Sequence, residues 1–300
     1  MDIALLALFA ALVAAICQTA TDLGTKAATR GADDRSILAA QWGAGALLLS
    51  VASVIAYPDL LRTPLDTIRD LTQPQFWRLL AIGGALQVAA YLLYIRAFRL
   101  SDASLVAPII LLTPVMMLVT SPLMVGEHVP PLGVFGVLFT VLGVGLLDAR
   151  EEKRRGVNFS VFFRDAGARS MLATAAIWSI TANIDKLGVR ASTPLIWITA
   201  LTVLIALLAT LYWLAGARRR PTGPALRYAA KAGAATALGN AVQMWALTVL
   251  FTPYVIAIKR LSALFTVLAS GMVLKEETGG RLLGAGVMLL GAVMIALARN

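Results

Sequence analysis

Few residues of this chain are able to do chemistry, and most of them stand at helical spacing inside apolar runs. Gln18 and Asp22 lie four apart with Lys26 one turn on, and Ser179 and Asn183 lie four apart with Asp185 and Lys186 just beyond. Gln87, Tyr91 and Tyr94 form a stripe at i, i+4 and i+7, Asn240 and Gln243 a second at i, i+3, and Trp178 sits within a turn of Ser179 and Asn183. Lys259 and Arg260 are adjacent in an apolar stretch. Residues three or four apart share a helix face. Polar or ionic groups in hydrocarbon are costly, so they turn toward a cavity, water or a neighbouring helix. The chemistry open to them is hydrogen bonding, stacking and charge pairing, with a ligand or with the next helix. We take Gln18, Asp22, Gln87, Tyr91, Trp178, Ser179, Asn183, Asn240, Gln243 and Lys259 as candidate substrate-pathway residues. Arg260 points about 100° from Lys259 on a helix, so at most one of them faces a cavity squarely.

Other chemistries are excluded. A single Cys (Cys17) rules out a disulfide framework or a CxxC site, and a single His (His128) rules out a multi-histidine metal centre and disfavours a His-based triad. Without a Walker motif, ATP is not the direct energy source. No catalytic role, cofactor or metal is expected.

The elements that must position these residues are membrane helices. The chain of 300 residues is 59% hydrophobic and 14% charged, against about 45–50% and 25% in soluble domains. Ten apolar segments can be read: Ile3–Ala20, Ser36–Ala56, Phe76–Phe98, Ser104–Val125, Leu132–Leu147, Met171–Ile184, Pro194–Ala215, Ala229–Leu250, Tyr254–Leu274 and Leu282–Ala298. A crossing takes about 20 residues, so little chain is left for a domain outside the bilayer. The start, Met-Asp-Ile, lacks the basic flank of a secretory signal, and the first segment is expected to be retained. Within Asp59–Gln75, Leu61, Leu65 and Ile68 fall at i, i+4, i+7 with charges on other faces, the pattern of a short interfacial helix. The net charge of +10 reads as basic loops at one membrane face rather than as a nucleic-acid surface.

The chain also repeats itself. Ser104 to Glu127 lies over Pro253 to Glu276 without a gap, the spacing of Gly136 and Gly143 matches that of Gly284 and Gly291, and Ala14-Ala15-Ile16 lies over Ala175-Ala176-Ile177. Five spans per copy is an odd number, so the second copy enters the membrane inverted, a plan shared by many transporters. The expected fold is an all-α integral membrane protein of ten transmembrane helices in two inverted five-helix repeats. The first repeat is 1–148, a linker 149–169 and the second repeat 170–300. Lys and Arg concentrate in the connections after the first, fifth and seventh segments, which places both termini outside.

Several features carry two readings. Glu127 and Glu276 end equivalent helices, where a carboxylate opposes the helix dipole and calls for a compensating partner, Lys275 or a nearby Arg. Pro108, Pro114 and Pro122 bend their segment, as a hinge or a static kink. Gly133, Gly136, Gly143, Gly280 and Gly284 suit close helix packing, within one chain or across a dimer. Trp42 and Trp197, near segment ends, suit interface anchors.

The stretch Tyr94-Ile-Arg-Ala-Phe-Arg-Leu-Ser-Asp-Ala-Ser-Leu-Val-Ala-Pro108, continuing to Pro114 and Glu127, resembles the first EamA-type repeat of the drug/metabolite transporter superfamily. Its counterparts are Ala257-Ile-Lys-Arg-Leu-Ser-Ala-Leu-Phe265, Leu274-Lys-Glu-Glu277 and Arg281-Leu-Leu-Gly284. The resemblance implies a transporter with both termini in the cytoplasm, against the charge count. Small multidrug-resistance relatives carry a mid-membrane glutamate in the first helix; Leu12-Val13-Ala14-Ala15 has none, so their mode of proton exchange is not expected. The expected function is secondary transport, as an exporter, of a small polar or amphipathic metabolite by alternating access around a central site between the two repeats, in the cytoplasmic (inner) membrane. The alternative is a flippase for a lipid or lipid-linked phosphate compound, with Lys259 and Arg260 on the phosphate. The expected partners are a small-molecule substrate and membrane lipid, with no nucleic acid, in a monomer or homodimer.

Overall fold

The computed structural model describes residues 3–28, 31–100, 107–152, 165–216, 222–262, 265 and 282–298. Among these the chain is helical, without strands. The helices are α1 (Ile3–Ala28), α2 (Asp34–Ala56), α3 (Pro64–Leu71), α4 (Phe76–Leu100), α5 (Leu112–Val125), α6 (Pro131–Glu152), α7 (Ala166–Arg190), α8 (Pro194–Leu214), α9 (Gly223–Val249), α10 (Thr252–Lys259) and α11 (Leu282–Leu297). Short 3-10 turns at Pro58–Leu61 and Ala107–Leu111 precede α3 and α5.

Among the described residues, four stretches are long and apolar enough to cross a membrane: Ile3–Thr25, Asp34–Ala56, Phe76–Tyr94 and Pro194–Leu214. Three shorter ones, Ile109–Val125, Pro131–Gly143 and Gly286–Leu297, are also apolar. α7 and α9 are longer, at 25 and 27 residues, but more polar. The two segments read as short, the fifth and sixth, become helices of 22 and 25 residues. Their charged and small-residue ends, invisible to an apolar-run criterion, continue the backbone hydrogen bonding.

Sequence-local devices set the ends. The Asp33 carboxylate accepts from Ser36 N at 2.8 Å and opens α2, and Thr193 Oγ1 accepts from Ile196 N at 3.3 Å and opens α8. Gly126, at φ 72°, closes α5 in the left-handed conformation that glycine adopts without a Cβ clash.

The ninth apolar segment departs from expectation. It was read as one helix over Tyr254–Leu274, but α10 ends at Lys259 and Arg260 is its C-cap. The equivalent place in the first half is also a junction, where the 3-10 turn Ala107–Leu111 gives way to α5 at Leu112.

The chain forms two compact units, each drawn from both halves of the sequence. The first comprises Met1–Leu12, Ala85–Ile184 and Val249–Asn300; the second comprises Val13–Gly84 and Asp185–Thr248.

Within the first unit, α6 and α11 pack along glycines. A Cβ on Gly136 would come within 2.9 Å of Gly291 O, and one on Gly143 within 2.7 Å of Gly284 O. Such contacts leave no room for any side chain, and the fully buried Thr140 and Met288 seal the seam. The register runs 136 with 291 and 143 with 284, so the two helices are antiparallel. Met117, Ala182 and Ile256 join α5, α7 and α10 in one apolar cluster.

Within the second unit, α2 pairs with α8, also antiparallel. Ser36 Oγ accepts from Trp213 Nε1 at 3.0 Å, Ser53 and Thr199 hydroxyls bond at 2.8 Å, and Tyr57 Oη donates to Thr193 Oγ1 at 3.1 Å. The C-terminal part of α1 packs on α9, where a Cβ on Gly239 would meet Cys17 Cβ at 2.7 Å.

Candidate functional site

In the first unit α4 lies against α7: Thr174 Oγ1 reaches Ala90 O at 3.4 Å, and Ala97 packs with Ala168 and Met171. At 100° per residue, Gln87, Tyr91 and Tyr94 lie about 60°, 100° and 40° to one side of Ala90. On α7, Trp178 lies about 40° from Thr174. The stripe and the indole therefore meet beside the seam. Tyr91 and Trp178 stack edge-on at 5.8 Å between centroids, and Tyr94 lies tilted on the same indole at 5.6 Å. All three rings are half-buried. Gln87, one turn from Tyr91, has a buried Oε1 with no hydrogen-bond partner among the described residues.

Ser179 and Asn183, also taken as pathway candidates, lie on another face of α7 from Trp178. They stand about 140° and 180° from Thr174 around α7 and so face α5. Asn183 is fully buried; its Nδ2 donates to Thr120 Oγ1 (2.9 Å) and Ser179 O (2.8 Å), and its Oδ1 accepts from Ser121 Oγ (2.7 Å). Thr120 Oγ1 donates to Ser179 O, and Ser179 Oγ to Ala176 O. These bonds brace α5 against α7.

Lys259 is half-buried in the last turn of α10, the helix end whose dipole favours a cation. The helix break thus explains a cation at that depth, which a continuous helix would not.

The remaining candidates belong to the second unit. Gln18 is half-buried on α1; Asp22 lies on the same helix, but its side chain, like that of Lys26, is outside the described residues. Asn240 is half-buried and Gln243 buried on α9. A polar cluster that sequence spacing did not single out lies beside them. Thr21 and Thr236 hydroxyls bond at 3.0 Å, Gln41 Nε2 donates to Thr236 Oγ1 at 3.2 Å, and Thr25 Oγ1 reaches Gln41 Oε1 at 3.4 Å. The available signal was four polar residues at membrane depth on three segments. Threonine alone is too common in spans to flag them.

Two further expectations are corrected. Trp197 is not an interface anchor: it is fully buried, and its indole N–H donates to the buried Asp185 at 3.0 Å. Trp42 is buried as well. Glu127, at the end of α5, is buried and accepts from Thr252 N at the start of α10. The carboxylate that opposes the dipole of α5 compensates the N-terminal dipole of another helix. Glu276, Lys275, Gly280 and Asp102 lie outside the described residues. Among the described residues, no cluster of three or more His, Cys, Asp or Glu side chains is placed to hold a metal ion.

A family profile described as the EamA-like transporter family matches residues 5–147 and 166–297. A solved structure, described only as the crystal structure of a protein, is similar to this chain at 18% identity, covering 97% of this chain and 96% of its own, with a TM-score of 0.76. That likeness shows the fold. No characterised protein matches the sequence.

Proposed function

This chain belongs to the EamA-like transporter family, a multi-pass membrane transporter of the drug/metabolite type, and on that premise we propose that it is a secondary transporter exporting a small polar or amphipathic metabolite. It works by alternating access in the cytoplasmic (inner) membrane, with ten spans arranged as two inverted five-helix repeats.

The observation that carries this reading is an exchange of equivalent partners. Gly136 and Gly284 are equivalent in the repeat, as are Gly143 and Gly291, yet Gly136 meets Gly291 and Gly143 meets Gly284. Contacts swapped in this way are the signature of a two-fold axis, and antiparallel equivalents fit copies inserted in opposite senses. The same exchange recurs elsewhere, where α4 packs on α7 and α1 on α9.

The α6–α11 and α2–α8 seams each join one sequence half to the other. The chain passes between units at 12/13, 84/85, 184/185 and 248/249. Of the proposed pathway residues, Gln18 and Asp22 lie on α1, Gln87 and Tyr91 on α4 and Trp178 on α7. Gln87 with the Tyr91–Tyr94–Trp178 rings offers an amide and three aromatic faces, matching a substrate with both polar and apolar surface. Lys259 in the first unit, and Asn240 and Gln243 in the second, are further proposed pathway residues.

The test is a thermal-stability screen of purified protein against a metabolite library, because a ligand that binds the folded state raises its apparent stability. Hits are then carried into counterflow assays in proteoliposomes. A hit that stabilises wild type but not Trp178→Ala supports the pathway assignment; stabilisation unchanged in Trp178→Ala overturns it.

A further inference from the structure

Between α2 and α4 the chain takes nineteen residues, Tyr57 to Gln75, for a connection that commonly needs two to eight. The extra length forms the 3-10 turn and α3, and no residue of either is buried. Leu60, Thr67, Ile68 and Leu71 are half-buried, and the other residues of both are exposed.

The distribution of side chains around α3 is ordered. Taking Leu65 as the reference and 100° per residue, Ile68 lies about 60° to one side, with Pro64 and Leu71 beyond it. Arg69 stands about 40° to the other side, and Asp66 and Asp70 about 100° and 140° round. Going around the helix, the sequence is therefore apolar, basic, acidic. Leu65 is 82% exposed, and Leu61, just before α3, is 74% exposed. An apolar face this open is costly in water. The aromatic residues that flank the segment, Tyr57 and the 55% exposed Trp77, are of the type that settles at headgroup level.

We propose that α3 is seated on the bilayer surface, with Leu65 and Ile68 in the acyl boundary and Arg69 at the phosphates of phospholipid headgroups. Three observations fix the occupant as lipid. Both neighbours, α2 and α4, are helices able to span the membrane, so their connection starts and ends at its surface. The arginine borders the apolar arc, at the depth where its stem stays in hydrocarbon and its guanidinium reaches phosphate. The aspartates occupy the face farthest from the acyl chains, where an anionic surface repels them least.

Just past α3, Gln73, Pro74, Gln75 and Arg78 line an open depression. The Gln73 N–H donates to Ala191 O at 2.7 Å and its Nε2 to Arg190 O at 3.4 Å, which pins this wall to the end of α7. Gln75 Nε2 donates to Gln73 Oε1 at 3.0 Å. Arg78 is exposed beside them and supplies a second cation at the same level.

The experiment uses full-length protein carrying Cys17→Ala, in nanodiscs of phosphatidylcholine and phosphatidylglycerol. Nitroxide labels are placed one at a time at positions 65, 66, 68 and 70. Oxygen, which concentrates in lipid, and a water-soluble nickel chelate compete for contact with each label. The expected result is oxygen-dominated relaxation at 65 and 68 and nickel-dominated relaxation at 66 and 70. Nickel access at all four positions overturns the proposal, because α3 then stands in water. Protection of 65 and 68 from both reagents also overturns it, because a protein partner or second copy then covers the face. As a check on the phosphate contact, Arg69→Gln with Arg78→Gln is expected to lower the number of phospholipids retained on detergent-purified protein by native mass spectrometry. An unchanged number removes the two arginines from the proposal.

Discussion

The carboxylate of Glu127 accepts a hydrogen bond of 2.7 Å from the backbone N–H of Thr252, 125 residues further along the chain. It joins the turn after α5 to the first turn of α10, a helix of only eight residues. A helix so short gains little from its own hydrogen bonds, so its anchoring depends on this cap and on packing. Replacing a capping side chain with alanine costs about 0.5–2 kcal/mol. Glu127→Ala is expected to fall at the upper end of that range, because the N–H it leaves behind is buried. Thermal unfolding in detergent should show a lower Tm for Glu127→Ala and a smaller loss for Glu127→Gln, which retains an acceptor. Equal Tm values for the three proteins would remove the cap from the account.

Tyr254 and Thr252 present the opposite case. Their hydroxyls are buried without a hydrogen-bond partner among the described residues, and such a group carries a desolvation cost of about 1–3 kcal/mol. Removing it while keeping the shape removes the cost. Tyr254→Phe is therefore expected to raise the Tm of the protein, although it deletes a polar group. A lower Tm would reveal a hydrogen bond that the unliganded fold does not display.

The Asn183 brace predicts coupling rather than direct recognition. Asn183→Ala leaves Ser121 Oγ without its acceptor and Thr120 Oγ1 without a donor, at a cost of roughly 0.6–2 kcal/mol for interhelical bonds in a membrane. In a double-mutant cycle, Asn183→Ala and Ser121→Ala should be less than additive. Full additivity would mean that the two side chains do not share a bond.

The α6–α11 seam is expected to be intolerant of bulk. Gly143→Leu must push apart backbones that a single Cβ already cannot enter, a change worth about 3 kcal/mol or more by overpacking. Gly286, where an added Cβ meets nothing within 4 Å, is the control on α11. Expression and Tm of Gly286→Leu should match wild type, whereas Gly143→Leu should lose folded yield. Comparable yields would show that the seam yields at low cost.

The all-helical class, the two-repeat organisation and the spaced glycines were legible because each leaves a periodic or duplicated trace. Gly136, Gly143, Gly284 and Gly291 matched by spacing alone, and the fold pairs them crosswise. What escaped was the facing of individual side chains. Trp178 and Ser179 are neighbours in sequence, but one hundred degrees of helix sends the first to α4 and the second to α5. The end of α10 at Lys259 left no proline or glycine in the residues that follow it, so a long apolar run concealed it. Glu127 escaped for a different reason, since its partner is set by tertiary packing and no local pattern reports it.

Lys259 and Trp178 are the residues on which the transport reading presses hardest, and their substitution should separate function from folding. Lys259→Ala and Trp178→Ala are expected to reach the membrane in folded form and to lose most transport. Gel filtration and Tm near wild type, together with full activity, would return both residues to a packing role.

The most direct test of the central claim is counterflow in proteoliposomes of the solute that gives the largest thermal stabilisation. The account predicts saturable, protein-dependent exchange of that solute without ATP, abolished by Trp178→Ala. Exchange no faster than in protein-free vesicles, for every solute that stabilises the protein, would contradict it.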